Sequence, residues 1–411
     1  MRYVIIGAGG AGVSAIEVIR EYDQESEIIM ISNEDVPPYS ACLLLYYLFD
    51  ENKRDAVFWK GKDFYDRMNV TPILGNKVNK IEPETKKILV GDESIDFDKL
   101  LISAGGSVDL PSIKGIDKNG IFTFKTLSDT DNIYKWLKTQ NVGNAIVLGG
   151  GLIGLDAAEG LMKHDVNVTV VEALNRVLPR MLDREMGNLV KDILQNNGVE
   201  VKVETKITEI LGAERVQSTK LSENTVLDAD MVIIATGVKP NLDIAKNSGI
   251  KTNSGIIVNE YLKTNITDVY AAGDIVESVD VITGKREPLL LWSNALIQGT
   301  IAGYNMVGKK KRYSGTSNQT LIKVFDTPII SDGAFEGEEI RVFRDNIHKK
   351  MYLKDSTIVG YMLINTMQNA GVYHSLMISK RDISKYKNFI LKNKFNVGMI
   401  EIDAAMLQEI F

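Results

Sequence analysis

Cysteine is nearly missing from these 411 residues, since Cys42 stands alone. An internal disulfide is therefore excluded, as is any metal site built from several cysteines of this chain, and a redox role for sulfur would fall to one lone thiol. Histidine is almost as scarce. His164, His348 and His374 are widely separated, so no metal site is expected. No apolar run reaches the roughly 18 residues that would cross a membrane. A strand begins within a few residues of Met1, leaving no room for a secretory leader, so a cytoplasmic location without a membrane partner is expected. Cationic excess is lacking as well, because the formal charge of −6 gives no reason to expect nucleic acid.

A 44% apolar chain with 25% charged residues is ordinary for a globular protein, and its length suits two or three domains. Its organising stretch is Tyr3 to Gly12, YVIIGAGGAG. Val4, Ile5 and Ile6 read as a buried parallel strand, and Gly7, Gly9 and Gly12 give the spacing GxGxxG, with Gly10 and Ala11 between, before an apolar helix. The first glycine allows a tight turn, the second lets the backbone approach a pyrophosphate, and the third lets helix pack on strand. Free N–H groups at the helix start then suit the phosphates. The next strand, Ile28 to Ile31, is followed by Ser32, Asn33 and Glu34. Glu34 is the nearest candidate for an acid that accepts from a ribose hydroxyl, and a solvated loop glutamate is the alternative.

The loop from Pro37 to Leu48 joins a proline turn to a helix-like apolar run. Lys86 to Val90 and Asp96 to Ala104 suggest a hairpin leading to a strand that ends in Ala104 and Gly105. After a proline-containing linker, Ala145 to Leu148 runs into Gly149, Gly150, Gly151, Leu152, Ile153 and Gly154, with a helix expected near Leu155. This is a second complete cradle. Its following strand, Val168 to Val171, ends at Glu172, placed to bind a ribose 2′-OH and to repel a 2′-phosphate. NADH is thus favoured over NADPH, although Arg176 lies close by. Further on come ATGVKPN, with Gly237, and TNITDVYAAGD, with Gly273 and Asp274. Asp274 suits either a ligand hydroxyl or a helix N-cap. A long helix is expected to open near Ser293 or Asn294 as caps and to close at Gly308.

In this order the four motifs closely resemble those of the FAD-dependent pyridine nucleotide oxidoreductases. The PPYSACLLLYYL loop and GYMLINTMQNAGVYHSL are most similar to the NADH:rubredoxin oxidoreductase and nitrite reductase flavin-domain branch. The resemblance implies an α/β protein with two Rossmann-like domains, one for FAD and one for NAD(P), and an α+β C-terminal interface domain. Residues 1–109 and 239–308 would form the FAD-binding domain, 110–238 the NAD-binding domain, and 309–411 the interface domain. It implies that Asp274 contacts the FAD ribityl chain and that the helix beginning near Trp292 points its positive end at the flavin. Trp292 would edge the flavin or else belong to the core.

Departures matter for the chemistry. Relatives often carry a lysine near the flavin where this chain has Tyr46, and a glutamate where it has Asp156. Asp156 would face the nicotinamide or cap its helix. Cys42 matches the lone redox cysteine of coenzyme A disulfide reductases and of cysteine-based NADH oxidases or peroxidases, but Leu43 follows where they keep glycine. Those relatives also tend to end in a proline-rich aromatic segment, which Ala370 to Phe411 lacks. Cys42 would be either a thiol of lowered pKa beside flavin or a small buried hydrophobe.

The expected activity is hydride transfer from NADH to FAD, with electrons passed to an iron-sulphur carrier or to a subunit of an electron-transfer complex. A Cys42-dependent disulfide or peroxide reductase, and a poorly turning assembly or sensor subunit, are the alternatives. An acidic carrier could dock on the C-terminal region, where 16 basic face 11 acidic side chains. A homodimer is left open.

Overall fold

The apolar run at the start forms β1 (Arg2–Ile6), and Val4 and Ile5 are fully buried, as a strand covered on both faces requires. The computed structural model describes residues 1–400, so residues 401–411, the end of the expected interface domain, lie outside the described residues. In chain order the parallel strands are β1, β2 (Glu27–Ile31), β3 (Thr71–Ile73), β4 (Lys99–Ile102), β5 (Ile121–Thr123), β6 (Asn144–Leu148), β7 (Asn167–Val171), β8 (Glu200–Lys202), β9 (Met231–Ile234) and β10 (Val269–Ala271). They build two five-stranded sheets, in the orders β10-β4-β1-β2-β3 and β5-β9-β6-β7-β8. Four strands of each sheet follow the same order, with β1 and β6, the strands that precede the glycines, both central. In chain order the fifth strand comes last in the first sheet (β10) and first in the second (β5). The first sheet draws β10 from far along the chain, where it pairs with β4 in parallel.

Two helices bring the distant parts of the first sheet together. Helix α1 (Gly10–Tyr22) and the late helix Trp292–Met306 lie so close that a Cβ on Gly299 would sit 2.1 Å from the Ala11 carbonyl oxygen, and one on Gly303 2.8 Å from that of Ala15. Only glycine permits this approach. That late helix ends at Met306, earlier than expected, and Gly308 (φ +81) turns the chain out of it.

The expected hairpin is also revised. Val78–Glu82, Lys87–Val90 and Glu93–Asp96 form a three-stranded antiparallel sheet, and β4 stands apart from it. The side chain of Asn79 accepts from the Gly91 N–H and holds the turn, a pairing across twelve positions that local pattern does not reveal.

Two compact units are present. The first comprises Met1–Leu174, Gln195–Asp280 and Gly284–Thr316, and holds both parallel sheets. The second comprises Asn175–Leu194, Val281–Thr283 and Ser317–Phe411. Its sheet is antiparallel, running Thr320–Val324, Thr327–Gly333, Thr357–Ile364, Ile347–Lys354 and Glu338–Arg344 in spatial order, and Tyr373, Leu376 and Met377 of the helix Ala370–Ile378 join Tyr361 and Leu363 in its core. His374 lies on that helix, its Nδ1 2.7 Å from the buried Asp332 carboxylate. Among the described residues no helix is long and apolar enough to cross a membrane.

Candidate functional site

Both glycine loops are built to the same plan. At Gly7 (φ +108) an added Cβ would lie 2.2 Å from the Ser103 carbonyl oxygen, and at Gly12 it would lie 2.2 Å from that of Gly7. Gly149 (φ +114) and Gly154 repeat this against the carbonyl oxygens of Ala235 and Gly149, at 2.3 and 1.9 Å. The middle glycines differ. A Cβ on Gly9 or on Gly151 would meet nothing within 4 Å, and neither residue has a positive φ. The protein itself thus needs the outer glycines, whereas the middle ones leave room for something outside the chain. That open approach, beside a helix start, fits a pyrophosphate.

The helix starts are free to receive it. Gly9 caps α1 and Gly151 caps α2 (Leu152–Met162), both without a side-chain bond and with no acid in the first turn. Helix α2 therefore begins at Leu152 and not near Leu155, because extended Gly151 itself serves as the cap. Gly10 and Ala11 open α1, and Leu152 and Ile153 open α2.

The two acids after the second strands behave differently. Glu172 is buried at the end of β7, where Oε2 accepts from the Gly150 N–H at 2.7 Å and Oε1 from the Leu174 N–H at 2.8 Å. Its carboxylate is thereby held against the second glycine loop. Glu34 is not a solvated loop residue. It is half-buried and accepts from the Tyr39 hydroxyl at 2.8 Å. Burial raises its pKa, while the Tyr39 bond and the Lys125 charge pull it down. Tyr39 in turn accepts from the Leu127 N–H at 3.1 Å, tying this loop to the helix Leu127–Thr139.

Asp274 is no helix cap, because the chain after it turns back with Val276 N–H donating to Gly273 O. The Gly273 N–H is taken by the Gln298 side chain at 2.7 Å. Burial raises the Asp274 pKa and Lys125 lowers it. Lys125 is therefore near both acids of the first cradle, and sequence reading missed it. Its signal was faint: a lone cation at the end of β5, just before the capping box of Thr126 and Asp129. Ser293 and Asn294 do not cap the late helix. It starts at Trp292 from extended Leu291, and Asn294 instead accepts from the Tyr313 hydroxyl and donates to Ser278. Its first N–H groups consequently have no side-chain cap. Trp292 is half-buried rather than core. A Cβ on Gly10 would lie 3.3 Å from its ring, and that ring meets Trp59 edge-on at 5.5 Å.

Ala104, Gly105 and Gly237 lie where the two halves of this unit cross. Gly106–Val108 pairs antiparallel with Val238–Pro240, and Asn241 donates to Ala104 O while its own N–H donates to Gly105 O. Gly105 and Gly237 have positive φ and open space where a Cβ would be.

Cys42 sits in the short turn Ala41–Leu43 ahead of the helix Leu44–Phe49. Both expectations for it need correction. It is exposed, hence no packed hydrophobe, and its pKa is raised rather than lowered. Desolvation of the thiol is the largest cause, a hydrogen bond with Ser40 works against it, and the charges of Asp156 and Asp274 add to the rise. The fold thus gathers Cys42, Asp156 and Asp274 from three distant stretches. Tyr46 remains exposed. Asp156 is mid-helix in α2 and caps nothing. Burial, helped by Glu159, pushes its pKa up to about 7.

This sets a pH test. A raised pKa means the folded state binds the Asp156 proton more tightly than the unfolded chain, so stability declines as pH climbs from the ordinary carboxylate range toward 7. In the apoprotein, Asp156→Asn should raise Tm by about 2–4 °C more at pH 8 than at pH 5. Equal shifts at both pH values would show that this carboxyl titrates normally.

Two similarly wound sheets, each with a phosphate-fitting loop at the end of its central strand, define a protein that holds two dinucleotides. The chain belongs to the pyridine nucleotide-disulphide oxidoreductase family, whose model matches residues 1–299. Members of that family use FAD and NAD(P)H. The chain is 33% identical to an NADH oxidase of Methanocaldococcus jannaschii, over 81% of this chain and 76% of that one. It is 32% identical to nitrite reductase [NAD(P)H] of Bacillus subtilis over 98% of this chain, and spans about half (50%) of that protein. Among solved structures, NADH:rubredoxin oxidoreductase from Clostridium acetobutylicum superposes with a TM-score of 0.80 at 26% identity, covering 95% of this chain and 99% of that one. A NAD-dependent persulfide reductase from A. fulgidus superposes with a TM-score of 0.87 at 26% identity, over 94% and 79%.

Proposed function

We propose that this chain takes a hydride from NADH into FAD and hands the electrons on to a redox protein, an iron-sulphur carrier or a subunit of a larger complex. The observation that carries this reading is the pair of like-built cradles served by a single thiol whose pKa is raised. When bound, FAD supplies the chemistry of accepting a hydride and releasing electrons singly. Gly7, Gly9, Gly10, Ala11 and Gly12 would hold its pyrophosphate, Glu34 its ribose and Asp274 its ribityl chain, with the Lys125 charge acting on both acids. Ala104, Gly105, Gly273 and Trp292 would border the same cofactor, and Cys42 its ring. Gly149, Gly151, Leu152, Ile153 and Gly154 would hold the pyrophosphate of NADH, with Glu172 on its ribose and Gly237 alongside. Arg176, the cation nearest Glu172 in sequence, directs its donors to Leu182 O, Pro179 O and Asn175 Oδ1. It is thus occupied within its own loop, which supports NADH over NADPH.

A raised thiol pKa works against thiolate chemistry, because the thiolate is the nucleophile. The exposure of Cys42 and the persulfide reductase likeness keep a second reading in view, a thiol-dependent reductase. One experiment separates them. With NADH under anaerobic conditions the flavin band should bleach in both the parent and Cys42→Ser, and ferricyanide or rubredoxin reduction should stay within about twofold. A drop of about a hundredfold or more in Cys42→Ser, with bleaching intact, would transfer the assignment to the thiol.

A further inference from the structure

Lys309, Lys310, Lys311 and Arg312 follow the late helix, and taken as sequence they are solvated cations suited to a helix C-terminus. The structure holds them more firmly than that. Asn305, buried in the last turn, accepts from the Lys311 N–H at 3.1 Å and donates to Lys311 O at 2.8 Å. The Lys309 N–H donates to Tyr304 O. The ammonium of Lys309 lies 5.3 Å over the Tyr22 ring and that of Lys311 5.8 Å over Tyr304, and these two rings are 5.6 Å apart. Arg312 lies over Tyr261 and pairs with Glu260. All four cations are exposed. Among the described residues no carboxylate lies within ion-pair distance of Lys309, Lys310 or Lys311.

We infer that this basic face anchors an acidic segment of a partner protein, apart from the place where electrons leave. Three cations without acidic partners, on a backbone already fixed, bind an acidic surface at a small ordering cost. Tyrosine and arginine side chains are favoured members of such protein contacts. The ring faces of Tyr22 and Tyr304 are already covered by the lysines, so they offer no platform to a nucleic-acid base. None of these exposed residues is aliphatic, so nothing here would enter a bilayer. Along the 15-residue helix the patch lies about 22 Å from Trp292 at the first cradle. Electron exchange weakens steeply with distance, which makes this a holding surface and not an exit.

The test uses the FAD-loaded full chain and a fluorescein-labelled peptide of alternating glutamate and glycine, read by anisotropy at low salt. Phosphatidylglycerol vesicles and single-stranded oligothymidine serve as rival probes. The parent should bind the peptide in preference to either rival. The combined Lys309→Gln, Lys310→Gln and Lys311→Gln variant should bind it about tenfold more weakly or worse, with NADH-ferricyanide turnover unchanged. Tyr22→Leu, which keeps every cation but removes a ring that positions Lys309, should weaken it too. The proposal is overturned if the triple variant binds like the parent, if vesicles or oligothymidine bind more tightly than the peptide, or if the triple variant loses turnover.

Discussion

A Gly9→Ala variant should fold, melt no lower than the parent as apoprotein, and lose its hold on FAD. Gly9 is extended (φ −78, ψ −175) and a Cβ there meets nothing within 4 Å. Alanine therefore fits without strain and stabilises the empty chain by about 0.4–1 kcal/mol through its stiffer unfolded state. The same methyl would stand where the pyrophosphate approaches, and a tenfold loss of affinity or more, about 1.4 kcal/mol, is expected. Gly151→Ala should act likewise on the KM for NADH and leave FAD retention unchanged. Gly12→Ala and Gly154→Ala should do the opposite. Their Cβ atoms would lie 2.2 and 1.9 Å from backbone carbonyl oxygens, which cannot swing aside as a side chain would. A loss of about 3 kcal/mol or more is expected, seen as a lowered Tm or insolubility. Melting apoproteins avoids the stabilisation that bound cofactor brings. If Gly9→Ala bound FAD as tightly as the parent, this loop would not be a cradle.

Lys350→Met should destabilise the C-terminal unit by about 1–3 kcal/mol at pH 7, below the usual figure for a broken buried pair because the carboxylates can be rehydrated. The Lys350 side chain is 2% exposed, and its ammonium lies 2.6 Å from both Asp183 and Glu185. Asp183 also accepts from the Tyr352 hydroxyl. Burial alone would lower the Lys350 pKa, but its bonds to Asp183 and Glu185 leave it raised. Burial likewise works to raise Asp183, and the bonds from Lys350, the Met186 N–H and the Tyr352 hydroxyl together outweigh it, so its pKa ends lowered. The contribution of Asp183 is therefore present above the ordinary carboxylate range and is lost as pH falls through its depressed pKa. The effect of Lys350→Met should shrink on acidification in the same way. In a double-mutant cycle with Asp183→Asn, the two losses should add to less than their sum. Full additivity would mean the pair does not interact, and amide exchange within Ile347–Lys354 would locate any loss.

The sheets were legible because their strands are apolar without alternation, and β1, β2, β6 and β7 lie within two residues of where the pattern puts them. The cradles were legible because glycine spacing is local geometry. Caps were read less well. Ser293 and Asn294 are good cap residues by type, yet the extended chain at Leu291 begins the helix earlier and Asn294 is drawn to Ser278 and Tyr313. Lys125 was overlooked because nothing in its own neighbourhood marks it. Only Glu34 and Asp274, far from it in sequence, give its charge a role.

By itself, then, the sequence determined that this protein has two nucleotide cradles, that Glu172 accompanies the second, and that any sulfur chemistry rests on Cys42. Those are properties of residue type and spacing over a few turns of chain. Only the tertiary structure decided that within each cradle the middle glycine is open while the outer two are crowded, that Gly273, next to Asp274, packs against Ala11 of the first loop, and that desolvation, with the charges of Asp156 and Asp274, raises the Cys42 pKa. Steric room and proton affinity are set by neighbours, and here the fold brings those neighbours from more than a hundred positions away.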